Sequence, residues 1–127
     1  MRRLAILVAA MAIGSCTPAP LAQTRQYNPT ITRDAYGVPN VHGRDDQEAA
    51  YGIGYAHAED NFATIQLVVL AARGRLGAHL GEEGAKSDFL LHLLGIREAV
   101  DAGFETRVSP EFRAVAQGYA DGLNAYA

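Results

Sequence analysis

The chain has one cysteine, no long apolar run and few cations, and each shortage removes a class of protein. A single cysteine, Cys16, cannot form an internal disulfide, so a disulfide-stapled scaffold is excluded. No segment reaches the roughly 18 consecutive apolar residues that a membrane-spanning helix needs. Cations are also scarce: 11 Lys and Arg stand against 14 Asp and Glu, a formal charge of −3. Two of those cations are Arg2 and Arg3, and no basic run follows, so nucleic-acid binding has no electrostatic footing. What remains is an apolar fraction of 49% with 20% charged residues, the balance of a chain that folds. At 127 residues it suits one small domain.

The start has its own composition. Met1-Arg2-Arg3 is a charged n-region, and Leu4 to Ile13 (LAILVAAMAI) is an apolar run of signal-peptide length. It ends in Ile13-Gly14-Ser15-Cys16, which resembles a bacterial lipoprotein box and makes Cys16 the candidate lipid attachment site. Ordinary secretion with cleavage near Ala22-Gln23 is the alternative, and either route exports the chain to the periplasm or the bacterial envelope. Residues 1–16 are thus read as a signal peptide with lipobox. Residues 17–29, rich in Pro, Ala and Gln, are read as a flexible tether.

From residue 30 the pattern changes to regular structure. Thr30 to Asp34 alternates as a short strand, Tyr36-Gly37-Val38-Pro39 is a turn, and Asn40-Val41-His42 continues as a second strand. Asp45 with Glu48 has capping-box spacing and opens a long helix from 46 to about 73. Its apolar stripe is Tyr51, Tyr55, Ala58, Phe62, Ile65, Val69, Ala72 and Leu76. Gly81 to Gly84 reads as a loop. Ser87-Asp88 is placed to cap a second helix that runs through Val100 and stops at Gly103. Ser109-Pro110-Glu111 opens a third, with Phe112, Val115, Ala116, Tyr119, Leu123 and Tyr126 on one face. That stripe is unfinished at Ala127, which reads as a truncation. The fold class expected is mainly α with a short N-terminal β-hairpin.

The stretch with most chemical promise is YGIGYAHAEDN, residues 51–61. Gly52 to His57 approaches G-x-G-x-x-G but lacks the third glycine and lies inside a helix, where no N–H groups face a pyrophosphate. Glycine inside a helix costs about 1 kcal/mol relative to alanine, so Gly52 and Gly54 point to close packing. His57 and Asp60 have i, i+3 spacing instead of the i, i+4 of a helical metal site, and no second histidine is near. Asp60 is read as a structural ion pair or cap. No G-x-S-x-G occurs, and Ser15, Ser87 and Ser109 stand in processing or capping contexts, so no nucleophile has a base beside it. No catalytic, cofactor-binding or metal-binding residue is assigned within the chain.

Residues Ile31 to Val41 (ITRDAYGVPNV) and Tyr51 to Asn61 together resemble the start of the α chain of penicillin acylases, a family that also holds acyl-homoserine-lactone and aculeacin-type acylases. Arg73-Gly74-Arg75-Leu76 with Gly81, and Gln117 to Tyr126 (QGYADGLNAY), continue the resemblance in order to Ala127. Asn40 stands where His is usual and Asn61 where Arg is common; Asn61 leans towards the lactone and aculeacin side.

The resemblance implies an exported N-terminal-nucleophile hydrolase of αββα fold, made as one precursor that cuts itself into α and β chains. It implies hydrolysis of linear amides, of penicillins or acyl-homoserine lactones, by a serine at the start of the β chain with its own α-amino group as base. The partners implied are the rest of the α chain, the β chain and an acyl-amide substrate, with calcium as a candidate cofactor of the full-length parent. Residues 30–127 are then a truncated N-terminal part of the α chain, inactive alone. A reading of another class is a small exported helical lipoprotein that binds a partner through Tyr51 to Leu76.

Overall fold

The computed structural model describes residues 25–127; the signal sequence, the lipobox with Cys16 and tether residues 17–24 lie outside the described residues. Strands β1 (Thr30–Arg33) and β2 (Pro39–His42) pair antiparallel with Thr30 opposite His42 and Arg33 opposite Pro39. Five helices follow: α1 (Asp46–Ala72), α2 (Gly77–Leu80), α3 (Glu82–Leu93), α4 (Ile96–Arg107) and α5 (Pro110–Tyr126). The mainly helical class with its N-terminal hairpin is the one the sequence implies.

Helix α1 is the centre. It packs along α5 and also against both strands of the hairpin. Asp45 caps it, the carboxylate accepting from the Glu48 N–H at 2.9 Å. Of the stripe expected from the sequence only Ala58 is fully buried. Glu48, Ala50, Gly52, Gly54, Ala56 and Ala58 are buried, whereas Tyr51, Tyr55 and Phe62 are only half-buried. The physical reason is that neighbours press on α1 from two directions. Both contacts select small residues, and the aromatic rings are left along the rim. There Tyr126 meets Tyr55 and Phe62, with ring centroids 5.8 and 5.4 Å apart. Helix α1 is also kinked: Asn61 has φ −146° and ψ 39°, so the single straight helix of the sequence reading is two helical segments in line.

The α1–α5 seam is made of backbone. A Cβ on Gly54 would lie 2.3 Å from the Tyr119 carbonyl oxygen. A Cβ on Gly118 or Gly122 would lie 2.1 Å from the carbonyl oxygens of Gln47 and Tyr51 respectively. Gly118 and Gly122 are four apart, hence on one face of α5. Gly52 does the same on the other side of α1, where a Cβ would meet Val41 Cγ1 at 2.5 Å. The close-approach reading of Gly52 and Gly54 is the correct one.

The middle of the chain departs from the sequence reading in three places. Glu82 and Glu83 of the expected loop form the first turn of α3, where the helix dipole favours acids. Asp88 lies inside α3 and does not cap it; its carboxylate accepts from the N–H groups of Leu76 and Gly77 at 2.9 and 2.7 Å, closing the start of α2. Gly95, with φ 61°, breaks the expected second helix in two, and Gly103 falls inside α4 and does not end it. The third helix starts as expected, Ser109 Oγ accepting from the Phe112 N–H at 3.2 Å with Pro110 at the first position, but it buries Gly118 and Gly122 and leaves Phe112 and Tyr126 of the expected apolar face exposed.

Two glycine substitutions separate these roles. Gly122→Ala is expected to destabilise the fold by about 1–3 kcal/mol, because its methyl group forces the seam apart. Gly103→Ala, whose methyl group meets nothing nearer than Arg107 Cδ at 3.4 Å, is expected to stabilise by up to about 1 kcal/mol. Urea unfolding of the two variants beside wild type measures both signs.

Candidate functional site

Residues 51–61 divide into three roles. The glycines form the packing contacts described above. His57 Nδ1 lies 3.2 Å from the Tyr119 hydroxyl across the seam, with the rings edge to face. Glu59 and Asp60 converge on Arg33 of β1, at 3.0 and 2.9 Å, immediately before the kink at Asn61. The hydrogen bonds that Arg33 donates to Asp60 first and Glu59 second raise its pKa above the ordinary value. The ion-pair reading of Asp60 is therefore correct, and Glu59 joins the same cation. All three side chains are partly exposed, between 32% and 43%, so the cluster fixes geometry more than it adds stability.

The buried charge of the chain is elsewhere. Glu48 is fully buried and is the largest such side chain among the described residues. Its carboxylate accepts from Arg44 Nε and Nη2, from the Arg44 N–H at 2.7 Å, and from the Asn28 N–H at 2.9 Å. The Arg44 side chain, then the two backbone N–H groups, hold its pKa down to about 2 from an ordinary 4.5. Capping-box spacing located Glu48 but not this role. A capping box would aim Glu48 at the Asp45 N–H; instead it reaches a segment twenty residues earlier, which spacing within one helix cannot reveal.

That earlier segment is Arg25 to Pro29, and it is held by several elements at once. Tyr27 stacks on Tyr51 with centroids 4.4 Å apart, donates to Asp121 of α5 at 2.8 Å and accepts from Gln47 at 2.8 Å. Burial first, and the Asp121 carboxylate second, raise the Tyr27 pKa. Arg25 pairs with Asp45 and donates to Gln47 at 2.7 Å. An open concavity of about 830 Å³ lies here, lined by Arg25, Tyr27, Asn28, Arg44, Tyr51 and Asp121 among others. The ties of Arg25, Tyr27, Asn28 and Arg44 to Asp45, Gln47, Glu48 and Asp121 make its wall a clamp on the N-terminal segment.

Among the described residues no group of three His, Cys, Asp or Glu side chains is arranged to hold a metal ion. Ser109 is spent on capping and Ser87 lies in α3. Cys16, the one site residue named from the sequence, lies outside the described residues. Among the described residues the polar side chains named above act as ties that hold elements in place.

Acid tests the Glu48 tie. Its folded pKa is depressed, so its contribution is complete above the unfolded value of 4.5 and is lost as pH falls from there towards about 2. Asp45 and Glu111, also depressed, add slope of the same sign. Glu48→Gln is expected to be less stable at pH 7 and to lose the larger part of the decline in stability between pH 4.5 and 2. Denaturant unfolding across that range measures it, and an unchanged slope overturns the assignment.

The penicillin amidase family model matches residues 28–127. An acyl-homoserine lactone acylase PvdQ of Pseudomonas fluorescens is 33% identical over 112 residues, covering 82% of this chain and 14% of that protein. The penicillin G acylase of Escherichia coli is 31% identical over 106 residues, covering 84% of this chain and 12% of that protein. The chain thus spans about one-seventh or less of the length of these curated relatives. A thermostable penicillin G acylase from Alcaligenes faecalis has the same fold over 80% of this chain and 54% of its own, with a TM-score of 0.63 at 26% identity. Since the family match runs through every element from β1 to the end of α5, the chain belongs to the penicillin amidase family.

Proposed function

We propose that this chain is the N-terminal part of the α chain of an exported amidohydrolase, which cleaves the linear amide bond of an acylated amine to release an acid and an amine. The observation that carries the reading is the family match over residues 28–127. The substrate classes are those in the relatives' names, penicillins and acyl-homoserine lactones. The nucleophile is a serine outside this chain, freed by self-cleavage of a precursor, with its α-amino group as base and an oxyanion hole to stabilise the tetrahedral intermediate. Calcium is a cofactor of the full-length enzyme; no carboxylate group among the described residues is assembled for it.

The role of this part is to supply a scaffold that the remaining chain completes. Support comes from the apolar faces left open on α3 and α4: Phe89, Leu90 and Leu93 on the first with Leu94 at its C-terminal cap, Ile96 and Val100 on the second, all between 43% and 69% exposed. A face of that size on a free surface is a liability, and burial against the rest of the enzyme removes it. The charged start, the apolar run and Cys16 support export with a lipid anchor on the envelope. Residues 1–127 alone are then inactive.

The reading frame beyond codon 127 is the first test: it is expected to continue for hundreds of codons. An immediate stop overturns the enzyme reading and leaves the small helical lipoprotein. The full-length protein is expected to release amine from at least one of a penicillin and an acyl-homoserine lactone, measured with an amine-reactive dye. Residues 1–127 under the same conditions are expected to release none.

A further inference from the structure

The turn between β1 and β2 is closed by five hydrogen bonds of its own. Asp34 Oδ1 accepts from the N–H groups of Tyr36 and Val38, both at 2.9 Å. The Gly37 N–H donates to the Asp34 carbonyl at 3.0 Å, and the Asp34 N–H to the Val38 carbonyl at 3.1 Å. Arg33 Nη1 donates to the Gly37 carbonyl at 2.8 Å. Because Glu59 and Asp60 grip the same guanidinium, the turn is fixed to α1 as well as to its own strands. Gly37, at φ 84°, takes the left-handed conformation that closes it.

What this braced turn presents outward is apolar. Tyr36 is 93% exposed and Val38 55%. An aromatic ring standing in water contributes nothing to the fold that carries it, whereas a ring on a rigid mount loses little freedom when it binds. Buried aromatic anchors of this kind dominate interface energetics.

We propose that Tyr36 is a docking anchor: its ring seats in an apolar cleft, with a polar group at the floor for the phenol, on the part of the acylase precursor that lies beyond this chain. The inference rests on the functional reading above. The occupant follows from proportion: the turn lies inside the family-matched region, and more than four-fifths of an acylase of the relatives' length lies outside this chain. The brace defines the geometry of insertion, since Arg33 ties α1 directly to the carbonyl of Gly37, the residue after Tyr36.

The test is acetylation of tyrosines by N-acetylimidazole on the wild-type protein as its gene encodes it, mapped at the peptide containing Tyr36. Docking is expected to slow modification of Tyr36 by at least about tenfold relative to the urea-denatured chain, the factor that an opening cost of ~1.4 kcal/mol imposes. Modification at the denatured rate overturns the proposal, and so does protection that disappears on dilution, which identifies a second copy as the occupant. As a second measure, Tyr36→Ser is expected to lower the thermal midpoint while Tyr36→Phe retains most of it; equal midpoints for all three proteins overturn the anchor. Neither readout uses amide hydrolysis, so an inactive enzyme with a protected Tyr36 sinks the functional reading alone.

Discussion

Everything in this chain depends on how closely α1 and α5 approach. At Gly54, Gly118 and Gly122 the backbone of one helix rests on the backbone of the other, with no room for a methyl group. A crossing that tight removes the option of a conventional core of large side chains between the helices. Among the described residues the buried apolar side chains are those of Ala50, Ala56 and Ala58. The large rings move to the edges of the seam, where Tyr51, Tyr55, Phe62, Tyr119 and Tyr126 stack and tilt against each other and against Tyr27 and His57.

A core of alanine and glycine buries little apolar area, so hydrophobic burial alone supplies modest stability here. Directional ties take up the difference in positioning. Glu48 holds the entry segment at Asn28, Asp121 and Gln47 hold Tyr27, and Glu59 with Asp60 hold Arg33. Each joins α1 or α5 to a segment at least twenty residues away in sequence. A buried carboxylate with all its acceptor positions occupied specifies one arrangement, because any other leaves an unpaired charge away from water.

Local signals in the sequence were legible and long-range ones were not. The Asp45 and Ser109 caps, Pro110 at the start of α5 and the Gly37 turn depend only on neighbours, and the structure has each of them. The partners of Glu48 and Asp88 depend on which segments the fold brings near. Both acids were readable as helix-cap residues only, yet one anchors the N-terminal segment and the other closes α2. Periodicity misjudged α1 because it weights large apolar residues, whereas a helix contacted from two sides buries its small ones. The signal that locates the seam was present: Gly118 and Gly122, four apart, and Gly54 with Ala50 and Ala58 at the same spacing on α1.

The distribution of polar and apolar groups says what kind of part this is. In a free-standing domain the large apolar side chains go inside and the charges go out. Here a glutamate is buried while Phe89, Leu93, Leu94 and Tyr36 stand in solvent, on surfaces separate from the seam. That inversion has no advantage for a chain that works alone. On the function proposed above it is the arrangement of an internal element, whose polar ties fix its own shape and whose apolar groups meet neighbours in the remaining chain. The hairpin, braced to α1 through Arg33, and the α3–α4 arm, broken from α1 by Gly74 and bent at Gly95, are on that proposal two separate contact surfaces.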